Sequence, residues 1–301
     1  MYNKILVPLD GSELAEAALP YAEELAGRLG SEIKLICVSE SAEDQHIQQY
    51  DIKRIAKTTK DGAEKYLREP EGREIKVEPV ILTGHPAEEI VNYAGKENIG
   101  LIVMATHGWS GIKRWTLGSV ADKVVRATKQ PVALIRAKGD RPQVRDMGML
   151  NNALVPLDGS KESEAVIPYI EELASKLQTE IVLFQVMEPA YHTYAGGEGA
   201  VAVPYTKEEM EPLKANAKEY LEKIGNLLEE KGITTMSEVR VGKAADEIVK
   251  LADEIHADIV AMSTHGRSGI SRWAFGSVAD KVLRGANTPV LLVRAPGAAT
   301  E

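Results

Sequence analysis

The chain has 301 residues, enough for two domains of ordinary size with a core each. A formal charge of −9 and the lack of any Lys/Arg tract argue against a nucleic-acid partner, since nothing offers a phosphate-neutralising footprint. No apolar run approaches the roughly 18 residues of a membrane span. The single cysteine, Cys37, has no second thiol to pair with, which fits a reducing cytoplasm.

The amino terminus, Met1-Tyr-Asn-Lys-Ile-Leu-Val-Pro, reads as a strand rather than a signal peptide. Residues 5–9 form that strand and end in Asp10-Gly11-Ser12. A helix is predicted over 13–29, with Leu14, Ala17, Ala18, Tyr21, Leu25 and Leu29 along one stripe and Pro20 bending it. Further strands are predicted at 33–38, 75–82, 101–105 and 132–135. Glu88 and Glu89 fall in a first helical turn after Pro86, where carboxylates favour the helix dipole. A polar stretch holding Gly139, Pro142 and Gly148 reads as a linker, which divides the chain into 1–138, a connection at 139–150, and 151–301. A second series of strands follows at 153–157, 181–186, 235–241, 259–263 and 290–293, and Pro168 takes the place of Pro20.

Most of these strands are continuously apolar, as strands covered by helices on both faces are. Strand–helix alternation implies a parallel sheet with right-handed crossovers and a site at its carboxyl edge, where strand order reverses.

The two series are copies of one another. Leu6-Val-Pro-Leu-Asp-Gly-Ser12 recurs as Leu154-Val-Pro-Leu-Asp-Gly-Ser160, an offset of 148 residues. His107-Gly108 recurs as His265-Gly266, an offset of 158. The ten additional residues are assigned to a Gly- and Pro-rich loop at 189–204.

Three elements carry chemistry. Asp10 and Asp158, at the end of each first strand, either cap the following helix or accept hydrogen bonds from an adenine amino group or ribose hydroxyls. Ser12 and Ser160 are the better caps, which leaves the carboxylates for a ligand. Val38 and Val186 end the second strands; their backbone groups suit a purine edge, although each reads equally as a buried strand valine. Gly108, then nine residues, then Gly118-Ser119 forms a turn that runs into a helix, and Gly266 and Gly276-Ser277 match it. Such a loop suits a phosphate, because glycines uncover backbone N–H groups and the helix offers its positive end. Lys113, Arg114 and Arg272 lie inside it. His107 and His265 read as structural, and Trp115 and Trp273 as packing for the loop.

Together these motifs resemble the universal stress protein family, in two tandem copies over nearly the whole chain. The matching features are Val-Pro-Leu-Asp, Thr-His-Gly, the nine-residue spacing to Gly-Ser, and the closing strand after Pro131 or Pro289. The resemblance implies two doubly wound α/β units, flavodoxin/Rossmann-like, each a five-stranded parallel sheet of order 3-2-1-4-5. Members that bind ATP use Gly-x2-Gly-x9-Gly-Ser/Thr. The residues carried over are Gly108, Gly118 and Ser119, and Gly266, Gly276 and Ser277. The first glycine of that pattern is Ala105 in one half and Ser263 in the other, which brings a Cβ toward the ligand. The resemblance further implies pairing of the two closing strands, an intramolecular pseudo-dimer, with a homo-oligomer also compatible.

The function this implies is a cytoplasmic stress-response sensor or regulator that binds ATP or a related adenine nucleotide, with Mg²⁺ arriving on the phosphates, and acts on a protein partner not identified by sequence. A nucleotide-free scaffold and a slow ATP-hydrolysing enzyme are the alternatives. No Gly-x4-Gly-Lys-Ser/Thr loop is present to support fast turnover. Glu40, Glu43 and Asp44 follow the second strand of the first half, whereas the second half has Arg267 and a less acidic loop, so phosphates should prefer the carboxyl-terminal site.

Overall fold

A computed structural model describes residues 1–40, 45–67, 74–106, 117–136, 150–189, 191–196, 199–266 and 276–295. The first half runs β1 (Lys4–Leu9), α1 (Glu13–Glu16), α2 (Leu19–Leu29), β2 (Glu32–Ser39), α3 (Gln45–Glu64), β3 (Val77–Thr83), α4 (Pro86–Lys96), β4 (Leu101–Ala105), α5 (Ser119–Ala127) and β5 (Val132–Ile135). The second runs β6 (Asn152–Pro156), α6 (Lys161–Glu164), α7 (Ile167–Leu177), β7 (Glu180–Met187), β8 (Tyr191–Gly196), β9 (Gly199–Pro204), α8 (Lys207–Glu229), β10 (Thr235–Val241), α9 (Ala244–Glu254), β11 (Ile259–Ser263), α10 (Ser277–Gly285) and β12 (Val290–Val293).

Continuous apolar runs make the strands, and their period of two serves two cores. Ile5, Val7 and Leu9 join one buried layer with Leu25 of α2 and Ile55 of α3, while Leu6 joins the other with Ile90 of α4 and Val124 of α5. Strand order is β3-β2-β1-β4-β5 in the first half and β10-β7-β6-β11-β12 in the second, the 3-2-1-4-5 order in each. β1 and β2 pair in parallel from Lys4–Glu32 to Leu9–Cys37, whereas β1 meets β4 only at Ile5–Leu101 and Leu6–Ile102. Pro8 follows that short ladder and has no N–H to extend it, so the sheet parts at its switch point. Pro156 stands at the matching place beyond the equally short β6–β11 pairing.

β5 and β12 join the halves as an antiparallel pair, Leu291 opposite Ala133, giving one sheet of ten strands. The expected union of the closing strands is therefore present. Its flanks repeat about a pseudo-twofold: Arg136 donates to Ala286 O at 2.8 Å, and Arg294, 158 residues on, donates to Thr128 O at 3.2 Å. Tyr2 donates to Tyr169 O at 3.0 Å, and Arg28 donates to Leu177 O, so the layers beneath the sheet are also tied across.

Two expectations are corrected. The helix predicted over 13–29 is two helices, α1 and α2, because Pro20 opens the second one near its first turn, where a missing N–H costs nothing, instead of bending a single long one. Pro168 does the same between α6 and α7. The loop expected at 189–204 is the hairpin β8–β9, with Tyr191 opposite Pro204. β8 ends at Gly196 and β9 begins at Gly199.

Candidate functional site

Asp10 and Asp158 leave the ends of β1 and β6 through Asp-Gly-Ser turns. Gly11 and Gly159 take φ of 81° and 83°, a left-handed backbone that favours glycine. Ser12 and Ser160 cap α1 and α6: their hydroxyls accept from Ala15 N and Ser163 N, each at 3.1 Å. Each aspartate in turn accepts from its serine, Asp10 from Ser12 N at 3.0 Å and Oγ at 2.6 Å, Asp158 from Ser160 N at 3.0 Å and Oγ at 2.5 Å. The carboxylates are thus fixed in direction by a cap they do not themselves provide. Asp10 is exposed and Asp158 half-buried.

At the other side of the crevice, α5 and α10 begin after Gly118 and Gly276, and neither helix has a side-chain cap. The amides of Gly118 and Gly276 are not themselves bare, since they donate to Thr106 O and Thr264 O at 2.8 Å. This corrects the detail of the cradle: its open donors are the first-turn amides beginning at Ser119 and Ser277, which a helix leaves without internal partners. Both serines are exposed and stand first in their helices rather than capping them. Gly276 is constrained as well, because a Cβ there would lie 3.2 Å from Thr264 O.

In the second half these parts surround a cavity of about 830 Å³. Asp158, Val186, Gly266, Gly276 and Ser277 all line it, so the five predicted residues of this half meet in one place. Gly266 sits so close to Asp158 that a Cβ would come 2.1 Å from Oδ2, so any larger residue there would push the carboxylate aside. His265 is hydrogen-bonded to Thr264, Oγ1 to Nδ1 at 3.0 Å, as a structural histidine should be. In the first half, Asp10, Val38, Gly118 and Ser119 hold the equivalent positions. Gly108 lies outside the described residues, as do His107, Lys113, Arg114, Trp115, Arg267, Arg272, Trp273, Glu43 and Asp44.

The sequence reading missed one wall. Leu213, Asn216, Ala217 and Tyr220 of α8 line the cavity, a stripe at helical spacing that could have been read as one face. Tyr220 donates to Glu164 Oε1 at 2.9 Å; burial first, then that bond, hold its hydroxyl well above the usual tyrosine range, so it stays protonated. Also missed was Gln185, buried near the end of β7, whereas Ser263, read from the sequence as the departure from the first glycine of the pattern, is buried at the end of β11. The residues in their places in the first half are Cys37 and Ala105. Burial, with Asp10 adding to it, pushes the Cys37 thiol up to about 11, which keeps it neutral. Among the described residues, no group of three His, Cys, Asp or Glu is arranged to hold a metal, and no helix is long and apolar enough to cross a membrane.

The universal stress protein family model matches residues 1–136 and again 149–294. A universal stress protein of Synechocystis sp. is 23% identical over 318 residues, spanning 97% of this chain and 100% of its own. A shorter universal stress protein of Methanocaldococcus jannaschii is 31% identical over 143 residues, 48% of this chain and 81% of that protein. The crystal structure of a universal stress protein from Archaeoglobus fulgidus shares the fold, with a TM-score of 0.70 at 21% identity over 98% of this chain and 99% of the other. With the family pattern matched twice along one polypeptide, the chain belongs to the universal stress protein family as a tandem, two-domain member.

Proposed function

We propose that the chain binds ATP or a related adenine nucleotide at the carboxyl edge of each half-sheet and serves as a stress-response sensor or regulator in the cytoplasm. The observation that carries this reading is the pair of glycine-started helices, α5 and α10, whose open first turns stand across the crevice from an oriented aspartate. Helices α1, α6 and α8 start differently, since Ser12, Ser160 and Thr206 fill their first turns with side-chain oxygen, and α4 and α9, which also lack a side-chain cap, each carry two acidic residues in the first turn. A helix start left to an outside acceptor suits a phosphate.

Ser277 and the amides behind it would hold phosphate, Asp158 the sugar, and the backbone at Val186 the base edge. Ser119, Asp10 and Val38 would do so in the first half, with Gly108 and Gly266 letting the loop approach. Mg²⁺ would enter on the phosphates. Each half, 1–138 and 151–301, would act as one nucleotide unit on the connection 139–150, and ligand would alter the surface seen by a protein partner. Mass spectrometry of small molecules released from purified protein tests this directly, with adenine nucleotide as the expected species. A protein that releases none and binds no added ATP would favour the nucleotide-free scaffold.

A further inference from the structure

We propose that the two mouths are coupled: each phosphate-facing helix is held at its far end by the other half, so nucleotide in one mouth orders the helix of the other. The inference rests on the nucleotide reading above and adds regulation to it.

α5 and α10 each begin at a mouth and end at the seam, where their C-caps are Thr128 and Ala286. Carbonyls at a helix end have no partner inside the helix, and here an arginine of the other half takes them. Arg294 Nη1 donates to Thr128 O at 3.2 Å. Arg136 Nη1 donates to Ala286 O at 2.8 Å and its Nη2 to Arg284 O at 3.1 Å. A guanidinium at this end favours the helix dipole, as an anion does at the other end. Phosphate and arginine therefore act on the same helix in the same sense.

Each arginine is tied in turn to the mouth of its own half. Arg136 follows Ile135, whose carbonyl accepts from Thr106 N at 2.8 Å, and Thr106 O accepts from Gly118 N at 2.8 Å, where α5 starts. Arg294 follows Val293, whose carbonyl accepts from Thr264 N at 2.8 Å, and Thr264 O accepts from Gly276 N at 2.8 Å, where α10 starts. Thr106 and Thr264 are both buried. The links close on themselves. They run from the start of α5 through Thr106 and Arg136 to the end of α10, along that helix to its start, then through Thr264 and Arg294 to the end of α5.

The element that both ligands bias is the last turn of each helix, since helix ends open locally more readily than a buried sheet does. Thr128 N on Val124 O and Ala286 N on Val282 O, each at 2.8 Å, report closure of those turns. Phosphate at Ser277 fixes the path Gly276–Thr264–Val293, which steadies Arg294 and closes the last turn of α5 before any ligand reaches Ser119. The first mouth acts likewise on α10 through Arg136. Both ligands favour one closed arrangement, so the coupling is positive and, by linkage, reciprocal.

The test is amide hydrogen exchange on the full chain carrying Gly118→Asp, which silences the first mouth, with and without saturating ATP. ATP should slow exchange of the Thr128 amide by about fivefold or more, although that half is empty. Adding Arg294→Gln should remove the slowing while ATP still binds. The reciprocal arm uses Gly276→Asp with ATP in the first mouth, reads Ala286, and is broken by Arg136→Gln, so a variant that fails to fold on one side leaves the other decisive. If ATP slows exchange in the first turn of α10 but not at Thr128, or if the slowing at Thr128 survives Arg294→Gln, the inference is overturned while the nucleotide reading stands. If the wild-type chain binds no ATP, both are overturned.

Discussion

The two halves are alike where they meet and unlike where they open. At the seam, β5 and β12 present matching buried runs, and Arg136 and Arg294 repeat each other's hydrogen bond 158 residues apart. At the mouths, the second half sets Gln185 and Ser263 where the first has Cys37 and Ala105, and its aspartate is half-buried where Asp10 is exposed. A seam made of one surface meeting its own copy penalises divergence, because a change on one side must suit the other. Each mouth meets no copy of itself and is under no such restraint.

The seam is the place to break the likeness. Leu134 and Leu292 hold symmetric positions in it, both about 2% exposed or less, and each lies opposite a valine of the other half. Leu134→Asp and Leu292→Asp should each cost at least about 3 kcal/mol of stability, the penalty of an unpaired buried charge, in denaturant unfolding. Equal losses are expected. A chain that tolerates one and not the other would show that the pseudo-twofold is geometric only.

The mouths are the place to sharpen the difference. Gly276→Asp sets a carboxylate at the helix start where phosphate should sit, and should weaken ATP at the second site by roughly 100-fold or more. Gly118→Asp should remove a weaker component of binding from the first site. Identical losses in calorimetric titration of the two variants would erase the proposed preference for the carboxyl-terminal site. A smaller effect is expected from Gly266→Ala: its Cβ would displace Asp158 Oδ2, and the loss of that oriented carboxylate should weaken ATP about tenfold with little change in unfolding midpoint.

The smallest effect compares a matched pair of carboxylates. Glu24 is fully buried against Arg28 at 2.8 Å, while Glu172, 148 residues on, meets Lys176 at 2.9 Å and the amino terminus at 2.6 Å. Burial pushes the Glu172 carboxyl up, but its bonds to the Met1 amino group and to Lys176 outweigh this and hold it below the usual 4.5. A folded value below the unfolded one stabilises the protein above pH 4.5, and that contribution is lost as pH falls through the folded value. Glu172→Gln should therefore cost up to about 1 kcal/mol at neutral pH, and its difference from wild type should shrink on acidification below that point. A gap that stays constant from pH 7 to pH 3 would remove the ion pair from the account.

Apolar runs and their spacing announced all ten strands of the main sheet, since a strand covered on both faces has little freedom in composition. The sequence duplication announced that any site must occur twice. Ser12 and Ser160 were legible as caps, and Asp10 and Asp158 as the carboxylates they would orient, because a helix start states its chemistry within three residues. Pro20 was misread, for a proline that bends one helix and a proline that begins another look alike until the preceding turn is seen to close. Gln185 escaped notice because one polar residue in an apolar run resembles an imperfection, and its meaning depends on which face of β7 meets which helix. The α8 wall escaped for the same reason: Asn216 and Tyr220 are ordinary helix residues until packing turns them toward β7. By itself the order of residues determined the elements, their repetition and the glycines at each mouth, all of them consequences of local sterics and periodicity. Tertiary structure alone decided that Gly118 and Gly276 spend their own amides on the neighbouring strand end, and that Gln185 Oε1 and Ser263 Oγ are buried without a partner among the described residues. Hydrogen-bond partnership across long separations follows from packing and is written in no single stretch of chain.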